Sequence, residues 1–305
     1  MTFAHEYSNL RKKNQKTTML RSFSKLFKYQ IYFVAVYNVT SNCLVSANNF
    51  DHTRFIFSDT DKFIIIKASQ AARDVYSKVH RMNGIPDQKA TSFSGMDNEY
   101  LEGPRYLTRF YPEKKMVVLS FRGTKSKVDV LHDFQIGQVI LKGVASWGRV
   151  HKGFIKYYET VERDIRSLMV KSSMNLRQLV VTGHSLGGAV ATIAAALLAH
   201  EFSSFRVTCI TFGSPRVGDR PFREWYSTYV ANSFRFVNAN DIVVHAPHSH
   251  KYVHVCPALI LNGHGLETQD KTVSRARLSG VLLGIKDIED HWMNNYLSRI
   301  LEMIS

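Results

Sequence analysis

Cysteine is scarce. Cys43, Cys209 and Cys256 are the three in 305 residues, too few for a disulfide framework, and none stands in a C-x-x-C pair. Long apolar runs are missing as well. Near the N-terminus Ile31–Val36 leads a stretch that stays mostly apolar only to about Val39, well short of the roughly 20 residues a bilayer-spanning helix needs. Acidic residues are under-represented too: 25 against 40 Lys and Arg give a net charge of +15. Such an excess points to an anionic partner, nucleic acid or a lipid surface, but no basic–aromatic motif or recognition fold supports nucleic acid. With 45% hydrophobic and 21% charged residues, the composition excludes a disordered tail and a collagen-like repeat.

The charge is unevenly spread. Residues 1–47 carry Arg11, Lys12, Lys13, Lys16, Arg21, Lys25 and Lys28 against Glu6, a net of +6, which leaves +9 for the rest. A basic start, a short apolar stretch and the small-residue site Val45-Ser46-Ala47 together read as a secretory signal peptide. The expectation is therefore a secreted protein, with membrane association through this segment as the alternative, and one domain over residues 48–305.

From about Phe50 onward helix-like and strand-like periods alternate. The spacing of Ile65, Ala68, Ala72, Val75 and Val79 predicts a helix over Lys62–Met82 that stops at Asn83-Gly84. Tyr106–Phe110 and Met116–Phe121 read as a hairpin around Pro112. Next come a helix over Gly153–Val170, a strand at Gln178–Thr182, an Ala-rich helix at Ala189–His200, a strand at Arg206–Phe212 and a helix at Arg220–Val230. Strands at Ser233–Val237 and Tyr252–Val255 and a last helix over Asp290–Met303 complete the reading. Such alternation predicts an α/β architecture on a mostly parallel sheet.

The most informative segment is Q-L-V-V-T-G-H-S-L-G-G, Gln178–Gly188. It sets G-x-S-x-G (Gly183, Ser185, Gly187) between an apolar strand and an Ala-rich helix, the sequence context of a nucleophile elbow. Glycines are required there because any side chain would collide with the neighbouring strand or helix. A nucleophilic serine needs a base, and the base a carboxylate to orient it. The chain order serine, acid, histidine restricts the search to residues after Ser185. Asp241, in the loop after the strand-like S-F-R-F-V, is favoured as the acid over Asp219, which more simply caps a helix. His291, at the mouth of the last helix, is favoured as the base, with His264 in N-G-H-G as the alternative. Oxyanion donors follow as the backbone N–H of Leu186 and the N–H of Thr124 in the loop after Met116–Phe121. The histidines from His245 to His254 match no zinc spacing, so neither metal nor organic cofactor is expected.

These residues resemble the class 3 lipase family, the fungal-lipase-like branch of the α/β hydrolases, from roughly Phe63 to Tyr296. The resemblance rests on V-L-S-F-R-G-T, V-H-K-G-F, V-T-G-H-S-L-G-G-A, T-F-G-S-P-R-V-G-D, V-N-A-N-D-I-V and D-H-W-M-N-N-Y. It implies an α/β-hydrolase fold with helices on both faces of the sheet, and Ser185, Asp241 and His291 as the triad with Thr124 and Leu186 as oxyanion donors. A short helical lid is implied over Ser126–Phe134, with Val128, Val130, Leu131 and Phe134 on its apolar face and no tryptophan. The implied activity is release of fatty acids from acylglycerols at a lipid–water interface, anionic membrane surfaces included. Phospholipase or other esterase activity on the same site is one alternative, and a non-catalytic lipid-binding or signalling protein is another.

Overall fold

A computed structural model describes residues 57–76, 106–123, 137–141, 147–172, 176–238, 241–262, 265–269 and 290–305. The segment 1–47, Thr124, the lid residues Val128, Val130, Leu131 and Phe134, and His264 lie outside the described residues.

The elements run α1 (Asp59–Asp74), β1 (Tyr106–Tyr111), β2 (Met116–Phe121), β3 (Gln138–Ile140), β4 (Arg149–His151), α2 (Lys152–Glu159), α3 (Glu162–Ser172), β5 (Gln178–His184) and α4 (Leu186–Glu201). There follow β6 (Arg206–Phe212), α5 (Arg220–Tyr229), β7 (Asn232–Asn238), β8 (Ala258–Asn262), β9 (Gly265–Gln269) and α6 (Met293–Ile304). Seven strands form one sheet in the order β1-β2-β5-β6-β7-β8-β9. The centre, β2 through β8, is parallel and only the two edge strands are antiparallel. β3 and β4 form a separate small ribbon.

Period-2 alternation sends each strand's side chains to two cores. Val118, Val180, Ile210, Phe212, Phe234 and Phe236 face one layer with α1 and α6. Val117, Leu119, Phe121, Leu179, Val181, Val207 and Cys209 face the other, with α2, α3, α4 and α5. Helices thus cover both faces, as a parallel sheet demands. Helix α4 is buried almost all round, from Gly187 to Ala199, because it lies between the sheet and both α2 and α5. Its Ala content lets backbones approach closely on every side. Helix α6 buries Met293, Tyr296, Leu297 and Ile300, one stripe at helical spacing.

Four readings need correction. Helix α1 ends at Asp74 with Val75 as its C-cap, so the Asn83-Gly84 stop is not its end. The helix read over Gly153–Val170 is two, broken where the Thr160 hydroxyl donates to the Tyr157 carbonyl at 2.7 Å and caps the first. Tyr252–Val255 forms a single bridge, Val253 to Gly218, and no strand. The strand beside β7 is β8 instead, which turns back as β9.

Candidate active site

β5 delivers Ser185 to the C-terminal edge of the sheet, where open α/β sheets place their ligands. Ser185 has φ 57° and ψ −130°, a left-handed conformation that a non-glycine residue holds only when its surroundings over-determine it. Here they do. The Ser185 N–H donates to the Phe212 carbonyl at 3.0 Å, extending the β5–β6 ladder one residue past the strand, and α4 starts on the next residue. A Cβ on Gly187 would strike the carbonyl of Phe121, so only glycine lets α4 begin this close to β2. Leu186 opens α4, where backbone N–H groups lack intrahelical acceptors.

Asp241 follows β7, and His291 precedes α6. They meet with His291 Nδ1 donating to Asp241 Oδ2 at 2.8 Å. Both are buried, as is Ser185 at 1% exposure. His184 beside it is buried as well, so the elbow is enclosed. Ser185 Oγ and His291 Nε2 are both buried without a hydrogen-bond partner among the described residues. Those two atoms are the ones a nucleophile and its base would use. Asp219 instead caps α5, accepting from the N–H of Phe222 at 3.0 Å.

Asp241 is held from several sides. Tyr296 donates its hydroxyl to Oδ2 at 2.6 Å, and the Val243 N–H reaches Oδ1 at 2.9 Å. Burial alone would raise this carboxyl; the His291 charge and the hydrogen bonds from His291, Tyr296 and Val243 outweigh it and hold the group below the usual carboxylate range. A carboxyl depressed on folding adds stability that is complete above its unfolded value, about 3.9, and is lost as pH falls through the lower folded value.

Sequence reasoning missed the support behind the triad. Tyr296 lies at the end of D-H-W-M-N-N-Y, and the signal was a tyrosine on the otherwise apolar stripe of α6. Its oxygen also accepts the Asn238 N–H at 2.9 Å, so one hydroxyl joins β7, the acid and α6. Tyr296→Phe is expected to lower kcat about tenfold with KM little changed, and to cost about 1–2 kcal/mol by orphaning the Asn238 N–H. Steady-state kinetics and thermal unfolding check this; an unchanged kcat would separate Tyr296 from the site.

His184 is the other missed residue. Burial lowers its pKa to about 3, with His291 contributing, so the ring is neutral. Its Nε2 lies 2.5 Å from the His291 carbonyl, its hydrogen-bond acceptor, which leaves Nδ1 to accept from the Tyr76 hydroxyl at 3.1 Å. Tyr76 in turn takes the N–H of Gly123, while Tyr157 donates to the Arg122 carbonyl at 3.1 Å. The loop after β2 and the loop carrying His291 are thereby tied through one imidazole. The histidines from 245 to 254 sit apart from this arrangement; His254 donates to the Val244 carbonyl. Among the described residues no group of three or more His, Cys, Asp or Glu is placed to hold a metal ion.

Residues 118–251 match the family described as lipase (class 3). Over those residues the chain is similar to the class 3 lipases. The chain is 35% identical over 168 residues to the secreted mono- and diacylglycerol lipase 1 of Fusarium solani, covering 54% of this chain and 49% of that protein. A chloroplastic phospholipase A(1) of Arabidopsis thaliana is 31% identical over 152 residues, covering 44% and 34%. The structure of lipase II from Rhizopus niveus superposes with a TM-score of 0.51 at 26% identity, over 61% of this chain and 73% of that one. The chain spans about half the length, or less, of the curated relatives it matches. The fold is that of the α/β-hydrolase lipases, with a mostly parallel central sheet. Among the described residues no helix is long and apolar enough to cross a membrane.

Proposed function

We propose that this protein is a serine carboxylic-ester hydrolase that releases fatty acids from acylglycerols. The observation that carries the reading is the pair of buried atoms Ser185 Oγ and His291 Nε2, without a partner among the described residues, on a strained elbow and beside an ionised Asp241. Ser185 Oγ attacks the ester carbonyl as His291 Nε2 takes its proton, and Asp241 steadies the imidazolium. The negative oxygen that forms is met by the N–H groups of Leu186 and Thr124, each such donor worth about 3–4 kcal/mol in the transition state. His291 returns the proton to the leaving alcohol, and water then cleaves the acyl-enzyme by the same route in reverse. The chain supplies all these groups itself.

The Fusarium relative, a secreted mono- and diacylglycerol lipase by name, supports acylglycerols as substrates. With the order of features in residues 1–47, it supports export. The Arabidopsis phospholipase A(1) supports a second reading, phospholipid hydrolysis on the same site. Val128, Val130, Leu131 and Phe134 would form the apolar face of a lid that meets the lipid surface. The +9 outside residues 1–47 would favour an anionic surface by roughly 1 kcal/mol for each basic residue brought close.

A fluorophosphonate probe separates catalysis from mere lipid binding, because only an activated serine reacts. Labelling at Ser185 is expected, followed by release of fatty acid from mono-, di- or triacylglycerols in preference to phospholipids and feruloyl esters. An unlabelled folded protein sinks the hydrolase reading; a preference for phospholipids moves it to the second.

A further inference from the structure

A single peptide group, the carbonyl of Arg122 and the N–H of Gly123, lies between the end of β2 and Thr124, the residue proposed as an oxyanion donor. Three elements hold it. On one edge Tyr157 of α2 donates its hydroxyl to the Arg122 carbonyl at 3.1 Å. On the other edge Tyr76, two residues past α1, accepts the Gly123 N–H on its hydroxyl oxygen and donates to His184 Nδ1 at 3.1 Å. Against its face lies the first turn of α4, where a Cβ on Gly187 would come within 2.9 Å of both the Arg122 carbonyl carbon and the Gly123 nitrogen.

The need for two hydroxyls follows from the residue they hold. Gly123 has no room for a side chain, because a Cβ there would collide with the Tyr76 hydroxyl and the His184 carbonyl. Glycine also rotates more freely than any other residue, and this one directly precedes the peptide that carries the Thr124 N–H. An oxyanion donor must stand about 2.7–3.1 Å from the developing charge, and a displacement of about 1 Å costs on the order of 10²-fold in rate. Contact with Gly187 blocks one face of the Arg122–Gly123 peptide only. The hydrogen bonds at its two edges are directional, and they set the rotation of the plane.

Resting on the reading of Ser185 as nucleophile and Thr124 as donor, we propose that Tyr157 and Tyr76 are positioning residues for the oxyanion loop. Their hydroxyls clamp one peptide from both edges and so aim the N–H that follows it. Tyr76 reaches the base as well, through His184 and the His291 carbonyl, whereas the Tyr157 bond ends on the loop. Tyr157 is therefore the cleaner probe.

Tyr157→Phe keeps the ring and removes the hydroxyl. It is expected to lower kcat for a short-chain ester about tenfold with KM within about twofold of the parent. An alkylboronic acid, whose tetrahedral adduct on Ser185 puts an oxygen where the oxyanion forms, should bind more weakly by the same factor. A hydroxyl that served the fold alone would lower the thermal midpoint and leave the ratio of boronate affinity to KM unchanged. Tyr76→Phe should match Tyr157→Phe, and the double variant should fall well short of the product of the two losses, because freeing one edge already frees the plane. The exposed Tyr229→Phe should behave like the parent. In glycine-selective nitrogen-15 spectra, the Gly123 amide of Tyr157→Phe should exchange with deuterium about tenfold faster than in the parent, a readout independent of turnover. Should one single variant not fold, the other decides. Parental kcat and boronate affinity in a folded variant overturn the clamp alone, provided that the parent reacts with fluorophosphonate. A parent that neither reacts with fluorophosphonate nor binds the boronate overturns the hydrolase reading and the clamp with it.

Discussion

Ser185→Ala is expected to cut kcat for a soluble ester by about 10⁶-fold while the protein stays folded, as losing the nucleophile does in serine hydrolases generally. Two observations make the result diagnostic. Ser185 Oγ has no hydrogen-bond partner among the described residues, so removing it orphans nothing. Alanine also keeps the Cβ, and the backbone at φ 57° is fixed by the Ser185 N–H bond to Phe212 and by the start of α4, not by the hydroxyl. The thermal midpoint should therefore stay within a degree or two of the parent while turnover and fluorophosphonate labelling both vanish. Turnover that survives in a folded Ser185→Ala protein would remove the serine from the mechanism.

Asp241→Asn should cost about 10⁴-fold in kcat with little change in KM, because the isosteric amide selects the wrong histidine tautomer. In the parent, His291 carries its proton on Nδ1 and donates it to Oδ2 at 2.8 Å, which leaves Nε2 free as the base. The hydroxyl of Tyr296 already donates to that same oxygen, and the Val243 N–H donates to the other. An asparagine oxygen can satisfy only one of those flanks. Its NH₂ faces donors on the other, and His291 is driven to place its proton on Nε2. Nitrogen-15 spectra of the imidazole should show the switch directly. A loss of less than tenfold in kcat would mean that Asp241 does not orient the base.

Much of this was legible in the sequence, and the reasons are local. Strands β2, β5 and β6 are short apolar runs bounded by turns, and the elbow is a contiguous pattern in which Gly183 answers to Gly187 close by, although Gly187 answers to Phe121 on β2. Asp219 could be recognised as a cap because capping is a short-range bond. What failed depended on partners distant in the chain. Tyr252–Val255 has the composition of a strand, yet it meets one neighbour at one residue. The A-L-I-L-N run at Ala258–Asn262 shows no apolar–polar alternation in sequence, and becomes a strand through its pairing with β7 on one side and β9 on the other. Tyr76 and Tyr296 look like ordinary helix-face aromatics in sequence; their hydroxyls gain a task only when the fold brings them to residues 108 and 55 positions away.

His184 and His291 lie with ring centroids 4.6 Å apart. Two protonated imidazoles at that separation would repel strongly in a buried setting. Because His184 stays neutral, the imidazolium that forms during turnover meets a dipole in place of a second charge. The neighbour that makes the site look crowded with bases acts instead as part of its solvent, a fixed polar group standing where water would otherwise have to reorient.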